Sequence, residues 1–186
     1  MNKKFISKTP FGSVCIVWSV SEDVPKIFHI LLSRPGWSAE EDALRMFPGA
    51  VKSSCAKIDD IADSIRAYLY GKDVSFSLRE VDLSQCTRFQ QSVLRAQYAI
   101  PRGQVSTYGL VAAHAGAPGG ARAVGNVMAT NPFPIIIPCH RTIRSGMQLG
   151  GFGGGVNMKR AMLENEGVMF DHAGRVVCKR LYYAPS

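Results

Sequence analysis

The chain has 186 residues, of which 46% are hydrophobic, and its mean hydropathy of +0.02 is typical of a globular protein that folds in water. No apolar run approaches the length that crosses a bilayer, and no long apolar stretch follows Lys3 and Lys4, so the sequence predicts neither a membrane span nor a signal peptide. The formal net charge is +8, which disfavours cationic partners.

The positive charge belongs to the second half of the chain. Residues 1–86 hold equal numbers of basic and acidic side chains, whereas residues 87–186 hold 11 lysines and arginines against three acids. Between Leu83 and Leu163 there is no aspartate or glutamate. Such a segment attracts polyanions, so nucleic acid is the first partner to consider. A basic domain without such a partner is the alternative that charge alone leaves open.

The first half of the chain, residues 1–84, is predicted to form a small α/β domain with a linker. Residues 11–20 and 27–32 are rich in β-branched and other apolar side chains, as strands are. Isoleucine and leucine then recur at spacings of three and four residues from Ile58 to Leu69, which predicts a helix that ends where the polar linker segment 71–85 begins. No motif in this half indicates a chemistry.

The second half, residues 85–186, is predicted to be a mainly helical domain that binds DNA. Two of its short helices are joined by a glycine-rich turn within the acid-free segment, which favours a helix-turn-helix, although many helical hairpins bind nothing. The predicted elements are a helix around Phe89–Leu94, a turn at 101–103, a helix over 108–115 capped by Ser106 or Thr107, a turn at 116–120 and a helix over 121–130.

The five cysteines are an odd number, widely scattered and without a Cys-x-x-Cys pair. This pattern is not that of a disulfide framework or a zinc ribbon, and it indicates a reducing cytosol, or the nucleus if the source is a eukaryote. His29 with Cys15, Cys55 and Cys86 could bind a metal in principle, but these residues lack ligand spacing. We therefore expect no metal and no cofactor.

The tetrapeptide Pro138–Arg141 (Pro-Cys-His-Arg) carries the clearest chemical signal. The apolar run Ile135–Ile137 before it, bracketed by prolines, predicts a short buried strand that ends at Cys139. A histidine and an arginine beside a cysteine favour the thiolate, which is the nucleophilic form. The alternative is a cysteine that merely packs in the core.

A series of short motifs runs in order through residues 89–167. Together they resemble the O6-alkylguanine-DNA alkyltransferases, also called methylated-DNA–protein-cysteine methyltransferases. The matching motifs are Phe89 with Val93-Leu94, Ile100-Pro101-x-Gly103, Ser106-Thr107-Tyr108, Ala121-Arg122-Ala123-Val124-Gly125, Asn131-Pro132, Ile137-Pro138-Cys139-His140-Arg141, Gly151-Phe152-x-Gly154-Gly155 and Leu163-x-x-Glu166-Gly167.

The resemblance implies an α+β fold, with a small α/β N-terminal domain of ribonuclease-H-like outline and a helical C-terminal domain. It also implies a monomeric, cofactor-free DNA-repair protein that binds duplex DNA and turns an O6-alkylguanine out of the stack. The alkyl group then moves irreversibly to Cys139, so that each molecule acts once. The sequence leaves open whether O4-alkylthymine is also a substrate.

The resemblance also assigns the catalytic residues. Cys139 is the acceptor, His140 takes the thiol proton through a water molecule, and Glu166 orients His140. The residues themselves favour a partner for Glu166, because it lies at a helix end where the helix dipole disfavours an anion. Tyr108 is expected to donate a hydrogen bond to the leaving guanine, and Asn131 to support the thiol or simply to form a turn.

Arg122 matches the family's arginine finger, which enters the duplex and fills the gap left by the flipped base, because a guanidinium can stack and hydrogen-bond at once. An ordinary phosphate contact is the alternative for this residue. The predicted DNA-binding residues are Thr107, Ala121, Arg122, Ala123, Gly125 and Arg141. The predicted lining of the alkyl and base pocket consists of Met128, Phe152, Gly153 and Gly154.

The chain departs from the family's pattern at three positions. Thr142 stands where valine usually follows Pro-Cys-His-Arg, and Phe152 stands where some members have tyrosine. Gly120, where alanine is common, loosens the start of the second helix of the predicted pair. None of these changes removes the thiol or the histidine, so we expect transfer to be retained.

Three other functions fit part of the sequence. A relative that flips alkylguanine without accepting the group would lack Cys139. A Cys-His-Glu hydrolase of another fold would leave Arg122 unexplained. A helix-turn-helix regulator would have no use for a buried cysteine. Stoichiometric alkyl transfer without turnover separates the alkyltransferase from all three.

Overall fold

Three long strands dominate the N-terminal part of the computed structural model, which describes residues 1–185. The strands are β1 (Asn2–Thr9), β2 (Gly12–Ser21) and β3 (Val24–Leu32), paired antiparallel in the order of the chain. The short β4 (Val51–Lys52) lies parallel to β1, so the sheet order is β3-β2-β1-β4. The two predicted strands are confirmed as β2 and β3, whereas β1 was not predicted.

Two helices complete this part of the fold. Helix α1 (Ala39–Met46) begins at Ser38, whose side chain and that of Glu41 form a capping box. Helix α2 (Ala56–Leu69) is the helix predicted from the isoleucine spacing, and a left-handed Gly71 follows its end, as expected. The apolar core between α1 and the sheet contains Cys15, Val17, Leu31, Ala39 and Ala43.

The chain divides into two compact units at Asp82, between two short 3-10 turns at Leu78–Glu80 and Leu83–Gln85. The first unit comprises everything up to Asp82 and, in addition, the later segment Pro132–Ile136. Within this unit the Ile30 amide donates a hydrogen bond of 2.8 Å to the Pro132 carbonyl. The rest of the chain forms the second unit.

The strand predicted over Ile135–Ile137 is wrong, although its three side chains are buried as expected. These residues form turns, and Ile135 has a φ of +77°, a conformation that a β-branched residue rarely adopts. Prolines at 134 and 138 have no amide hydrogen to donate to a strand ladder. An apolar run can therefore be buried here without pairing as a strand.

The second unit is built from four helices and two small pairs of strands. Its predicted helices are confirmed, and two of them begin at threonine caps, where Thr87 and Thr107 accept hydrogen bonds from amides of the first turn. The elements are α3 (Arg88–Tyr98), β5 (Ser106–Thr107), α4 (Tyr108–His114), α5 (Ala121–Ala129), β6 (Thr142–Ile143), α6 (Val156–Asn165), β7 (Met169–Phe170) and β8 (Val176–Val177). One apolar cluster of this unit contains Val105, Ile143, Leu149, Leu163, Val168 and Val176.

The architecture is mixed α+β, with one sheet-based unit and one mainly helical unit, as the sequence predicts. Helices α4 and α5, the pair predicted as a helix-turn-helix, pack against each other and are joined by a glycine-rich turn. Within residues 1–185 no helix is both long enough and apolar enough to cross a membrane.

Candidate functional site

Cys139 is the first residue of a 3-10 turn, Cys139–Arg141, which leads directly into β6. The residue is 7% exposed, and it contributes to the wall of a cavity of about 330 Å³. The cavity is lined by Tyr108, Gly125, Met128, Ala129, Cys139, Gly151, Phe152 and Gly153. A nucleophile in a cavity of this size, between a phenol and an aromatic ring, can react with a small group presented from outside.

The pairing of β5 with β6 joins the segment that begins α4 to the segment that carries Cys139. The two strands run parallel, with Ser106 opposite Thr142. Helix α4 starts immediately after β5, so that its first residue, Tyr108, emerges at one end of the pair. The turn that carries Cys139 leads into β6, the other strand of the pair.

The other walls come from helix α5 and from the glycine-rich loop before α6. Of the predicted pocket residues, Met128, Phe152 and Gly153 line the cavity, whereas Gly154 is buried outside the lining. Gly154 as a pocket residue stays a prediction. Sequence reasoning missed Ala129 and Gly151, and it placed Gly125 at the DNA interface rather than in the pocket.

Asn131 connects the end of α5 with the reactive turn. Its side-chain amide donates a hydrogen bond of 3.0 Å to the Ile137 carbonyl and also hydrogen-bonds the Cys139 sulfur. The sequence left two roles open for Asn131, a support for the thiol and a plain turn. The bond to the Ile137 carbonyl suits the turn and the bond to Cys139 suits a support for the thiol, so both roles stay predictions.

The expectation that its neighbours make Cys139 a thiolate is wrong for the resting protein. Burial raises the pKa of the Cys139 thiol, and the Asn131 hydrogen bond and the positive charge of Lys159 oppose this effect only in part. Its sequence neighbours contribute little positive charge, because burial lowers the pKa of His140 and because Arg141 is bound to a carboxylate. The thiol therefore needs a base before it can react.

His140 and Glu166 are in contact, as the sequence predicts. The imidazole Nε2 lies 3.1 Å from Glu166 Oε1, and both side chains are almost fully buried. Burial by itself would raise the pKa of Glu166, but hydrogen bonds from His140 and Arg141 outweigh it and hold that pKa well below its usual range. A neutral imidazole therefore lies against a carboxylate that stays charged.

Arg141 fills a different role from the DNA contact that was predicted for it. Its guanidinium binds both oxygens of Glu166, and its Nη1 donates a hydrogen bond of 2.7 Å to the Ile100 carbonyl. Its side chain is only 12% exposed, so the group is committed to the protein interior. The Gly103 amide also points at Glu166 Oε2, over 3.4 Å.

The remaining residues predicted to bind DNA differ in exposure. Arg122 and Ala123 are exposed, and within residues 1–185 the Arg122 guanidinium makes no hydrogen bond or ion pair. Ala121 and Gly125 are partly buried on the same helix. Thr107 is buried, and its hydroxyl accepts a hydrogen bond from the Leu110 amide, which caps α4.

Lys159 is the site residue that sequence reasoning missed. It is fully buried on α6, and its ammonium donates hydrogen bonds to the Thr142 and Gly151 carbonyls. A sequence signal did exist, because Lys159 precedes the buried Met162 and Leu163 by three and four residues, which places a cation on the apolar face of the helix. Within the described chain no three histidine, cysteine or acidic side chains come together as a metal site.

Comparisons with known proteins show which proteins this chain is similar to. Residues 88–168 match the family model described as 6-O-methylguanine DNA methyltransferase, DNA binding domain. The chain is 43% identical over 134 residues to the methylated-DNA–protein-cysteine methyltransferase of Mycobacterium tuberculosis, an alignment that covers 72% of each chain. It is 46% identical over 114 residues to the protein of the same name from Methanothermobacter thermautotrophicus, which covers 61% of this chain and 64% of that one.

Solved structures show the same relationship at the level of the fold. The crystal structure of Mycobacterium tuberculosis O6-methylguanine methyltransferase superposes with a TM-score of 0.72 and 34% identity, covering 89% of this chain and 92% of that one. A crystal structure of the same enzyme in complex with DNA gives a TM-score of 0.70. Sequence and fold lead to one conclusion: the chain belongs to the methylated-DNA–protein-cysteine methyltransferases.

Proposed function

We propose that the protein repairs DNA by a single, irreversible transfer of the O6-alkyl group from a guanine in duplex DNA to its own Cys139. The observation that carries this proposal is the position of the Cys139 thiol in the wall of a cavity that also contains Tyr108 and Phe152. The cavity volume of about 330 Å³ suits one small ligand group or base rather than an extended chain.

The transfer is a displacement at the alkyl carbon. The sulfur forms a bond to that carbon while the bond from the carbon to guanine O6 breaks, and the electron pair of the broken bond stays on the guanine. The thiol loses a proton and the guanine gains one, so the reaction needs no cofactor and no oxidant. The product is a thioether on Cys139, and because nothing reverses it each molecule reacts once.

His140 is the base that removes the thiol proton, through a water molecule. Burial lowers the pKa of His140, so its imidazole is neutral and able to accept a proton at neutral pH. Glu166 stays charged beside it, and a fixed carboxylate stabilises the imidazolium that forms. The raised pKa of Cys139 makes this relay necessary, because the thiolate is then formed only when it is used.

Tyr108 is the group that stabilises the leaving guanine. Burial and the neighbouring Cys139 raise the pKa of its phenol, so the hydroxyl keeps its proton and can donate it in a hydrogen bond. Phe152 also lines the cavity and packs edge-on against His140, with ring centres 6.1 Å apart. Its ring offers an apolar wall to the alkyl group.

Helix α5 links the pocket to the DNA. The target carbon cannot be reached inside a base stack, so the damaged nucleotide must be extruded into the cavity. The helix carries Gly125, Met128 and Ala129 in the cavity wall and Arg122 at its exposed start. The Arg122 guanidinium has no partner in the described chain, so it is available to occupy the gap in the duplex. The acid-free segment around it favours phosphate contacts.

The test is to incubate the protein with a duplex that contains one O6-methylguanine and to weigh the intact chain by mass spectrometry. We expect a gain of one methyl group that saturates at one per chain and maps to Cys139. Cys139→Ala should bind the duplex without gaining mass, and Cys55→Ala, at a partly exposed cysteine, should behave like the wild type. Tight lesion binding without mass gain would indicate a protein that only marks damage. The absence of both binding and transfer would refute the proposal.

A further inference from the structure

Arg144 is a cation beside the candidate site that the proposed mechanism does not use. It follows β6 directly, and its side chain is exposed. Within residues 1–185 its guanidinium makes no hydrogen bond or ion pair. No aspartate or glutamate occurs between Leu83 and Leu163, so no acid close to it in the chain neutralises its charge. Because a guanidinium does not lose its proton in proteins, this position carries a permanent positive charge.

The backbone on both sides of Arg144 is fixed. Its amide donates a hydrogen bond of 2.8 Å to the Gln148 carbonyl, and its carbonyl accepts one of 3.1 Å from the Met147 amide. The Met147 carbonyl accepts a further hydrogen bond of 2.8 Å from the Val176 amide. This closed turn leads through the buried Leu149 into the glycine-rich loop before α6. The side chain of Arg144 therefore starts from a defined place in the second unit.

The Arg144 guanidinium and the Tyr108 phenol lie around the same glycine. A side chain at Gly150 would begin 3.4 Å from the Tyr108 Oη and 3.6 Å from the Arg144 Nε. Gly150 has a φ of +71°, which favours glycine, and the missing side chain leaves the space between the two groups open. Tyr108 and the next residue of the loop, Gly151, both line the cavity, so Arg144 lies beside the cavity wall.

The charge of Arg144 acts on the Tyr108 phenol. Burial and a negative charge on Cys139 raise the pKa of this phenol, and the positive charge of Arg144 opposes both effects. A hydroxyl becomes a stronger hydrogen-bond donor as its acidity rises, so the cation improves Tyr108 as a donor. A strong donor is needed most while the bond to guanine O6 breaks, because the guanine then receives the electron pair.

We propose that Arg144 is a positioning residue for the transfer, whose charge strengthens the hydrogen bond that Tyr108 donates to the leaving guanine. The inference rests on the proposed function, since it takes Tyr108 as the donor to that guanine. A contact with a DNA phosphate is the other use for an exposed arginine. The two uses predict different losses, because a phosphate contact matters only for duplex DNA, whereas a stronger Tyr108 donor also speeds the reaction of a free base.

The experiment is a double-mutant cycle of Arg144→Met and Tyr108→Phe, measured as the single-turnover rate with free O6-benzylguanine. We expect Arg144→Met to slow the reaction by about threefold to tenfold when the Tyr108 hydroxyl is present, and to have no effect in Tyr108→Phe. Arg144→Lys keeps the charge and should retain most of the rate. Arg95→Met, at an exposed arginine of α3, is the control and should react like the wild type.

Two results of this cycle would overturn the proposal. Equal losses from Arg144→Met with and without the Tyr108 hydroxyl would show that the arginine does not act through the phenol. A loss with alkylated duplex that is absent with the free base would make Arg144 a phosphate contact instead. Because the Arg144 side chain is exposed, its replacement leaves the packed interior unchanged.

The ionisation of Tyr108 gives a measurement that needs no substrate. In protein labelled with ¹³C at the ζ carbon of tyrosine, Tyr108→Phe identifies the Tyr108 signal. Arg144→Met should shift the titration of this signal to higher pH, whereas Arg95→Met should not, and an unchanged titration in Arg144→Met would overturn the proposal. A protein that transfers no alkyl group but keeps an Arg144-dependent phenol would refute the proposed function while leaving the link between the two residues in place.

Discussion

Arg141 and Glu166 form a two-pronged ion pair in the interior of the second unit, with Nη2 2.8 Å from Oε1 and Nε 2.9 Å from Oε2. The same carboxylate contacts His140, the neighbour of Arg141 in the chain. Arg141 therefore holds Glu166 in place against His140. A bidentate pair has a defined direction as well as a charge, so it also sets the plane of the carboxylate.

The first prediction concerns this geometry. Arg141→Lys keeps the charge but loses the fork that binds both oxygens, so Glu166 should hold His140 less firmly, and alkyl transfer should slow by about tenfold. Single-turnover rates on free O6-benzylguanine and on alkylated duplex should fall together. Arg95→Lys, at an exposed arginine of α3, is the control. A loss confined to duplex DNA would instead make Arg141 a DNA contact.

The second prediction is a loss of stability in mild acid caused by His140. Burial lowers the pKa of His140, so the unfolded chain binds a proton that the folded chain resists. This contribution is complete above the ordinary histidine pKa and is lost as the pH falls from about 6.5 through the lower value of the folded state, by at most about 1.4 kcal/mol per pH unit.

Urea unfolding at pH 7.5 and pH 5.5 measures this effect. His140→Gln should lose less stability between the two pH values than the wild type does. His172→Gln, at an exposed histidine, should match the wild type. Equal losses in all three proteins would show that His140 does not resist protonation.

The third prediction tests a buried polar pair beneath the reactive turn. The Thr142 hydroxyl donates to the Gln97 side-chain carbonyl, and the Gln97 amide donates to the Pro138 carbonyl over 2.7 Å. Thr142→Val should cost about 1–3 kcal/mol, because it leaves a buried Gln97 oxygen without its donor. Once Gln97→Leu has removed that oxygen, the same substitution should cost much less.

A double-mutant cycle of Gln97→Leu and Thr142→Val gives the coupling, from free energies of unfolding in urea. We expect a coupling of about 1 kcal/mol or more between the two residues. Strictly additive effects would mean that the Thr142 hydroxyl and the Gln97 amide contribute to stability independently of each other.

The fourth prediction separates a finger role for Arg122 from a phosphate contact. Arg122→Ala should slow repair of alkylated duplex by about tenfold or more while leaving the reaction with free O6-benzylguanine unchanged, since only the duplex needs its gap filled. Arg88→Ala, at another exposed arginine of the same unit, is the control. Equal losses on both substrates would exclude the finger, and a uniform loss of DNA affinity with a smaller salt slope would indicate a phosphate contact.

Features that depend on nearby residues could be predicted from the sequence. The spacing of the isoleucines gives α2, and Thr107 before Tyr108 gives the start of α4. That Glu166 needs a partner could also be inferred, since it is one of only three acids in residues 87–186 and lies at a helix end, whereas His140 as that partner came from the family resemblance.

Features that depend on residues far apart in the chain could not be predicted. The guanidinium of Arg141 binds Glu166, and Lys159 binds the Thr142 carbonyl, contacts that no local pattern encodes. The apolar run before Cys139 resembles a strand, but its backbone turns, because burial can be satisfied by tertiary packing without a ladder. Strand β1 was missed because lysines and other polar side chains interrupt its apolar residues.

The segment Pro132–Ile136 belongs to the first unit, although the sequence on both sides of it belongs to the second. The residues that flank this segment, Asn131 and Ile137, are joined by a hydrogen bond. A fragment that starts at Leu83 would keep the buried Phe133 but lose β3, whose Ile30 amide binds the Pro132 carbonyl. Truncation would thus leave an exposed apolar loop, prone to aggregation, directly before the nucleophile. A minimal catalytic domain would require that loop to be redesigned.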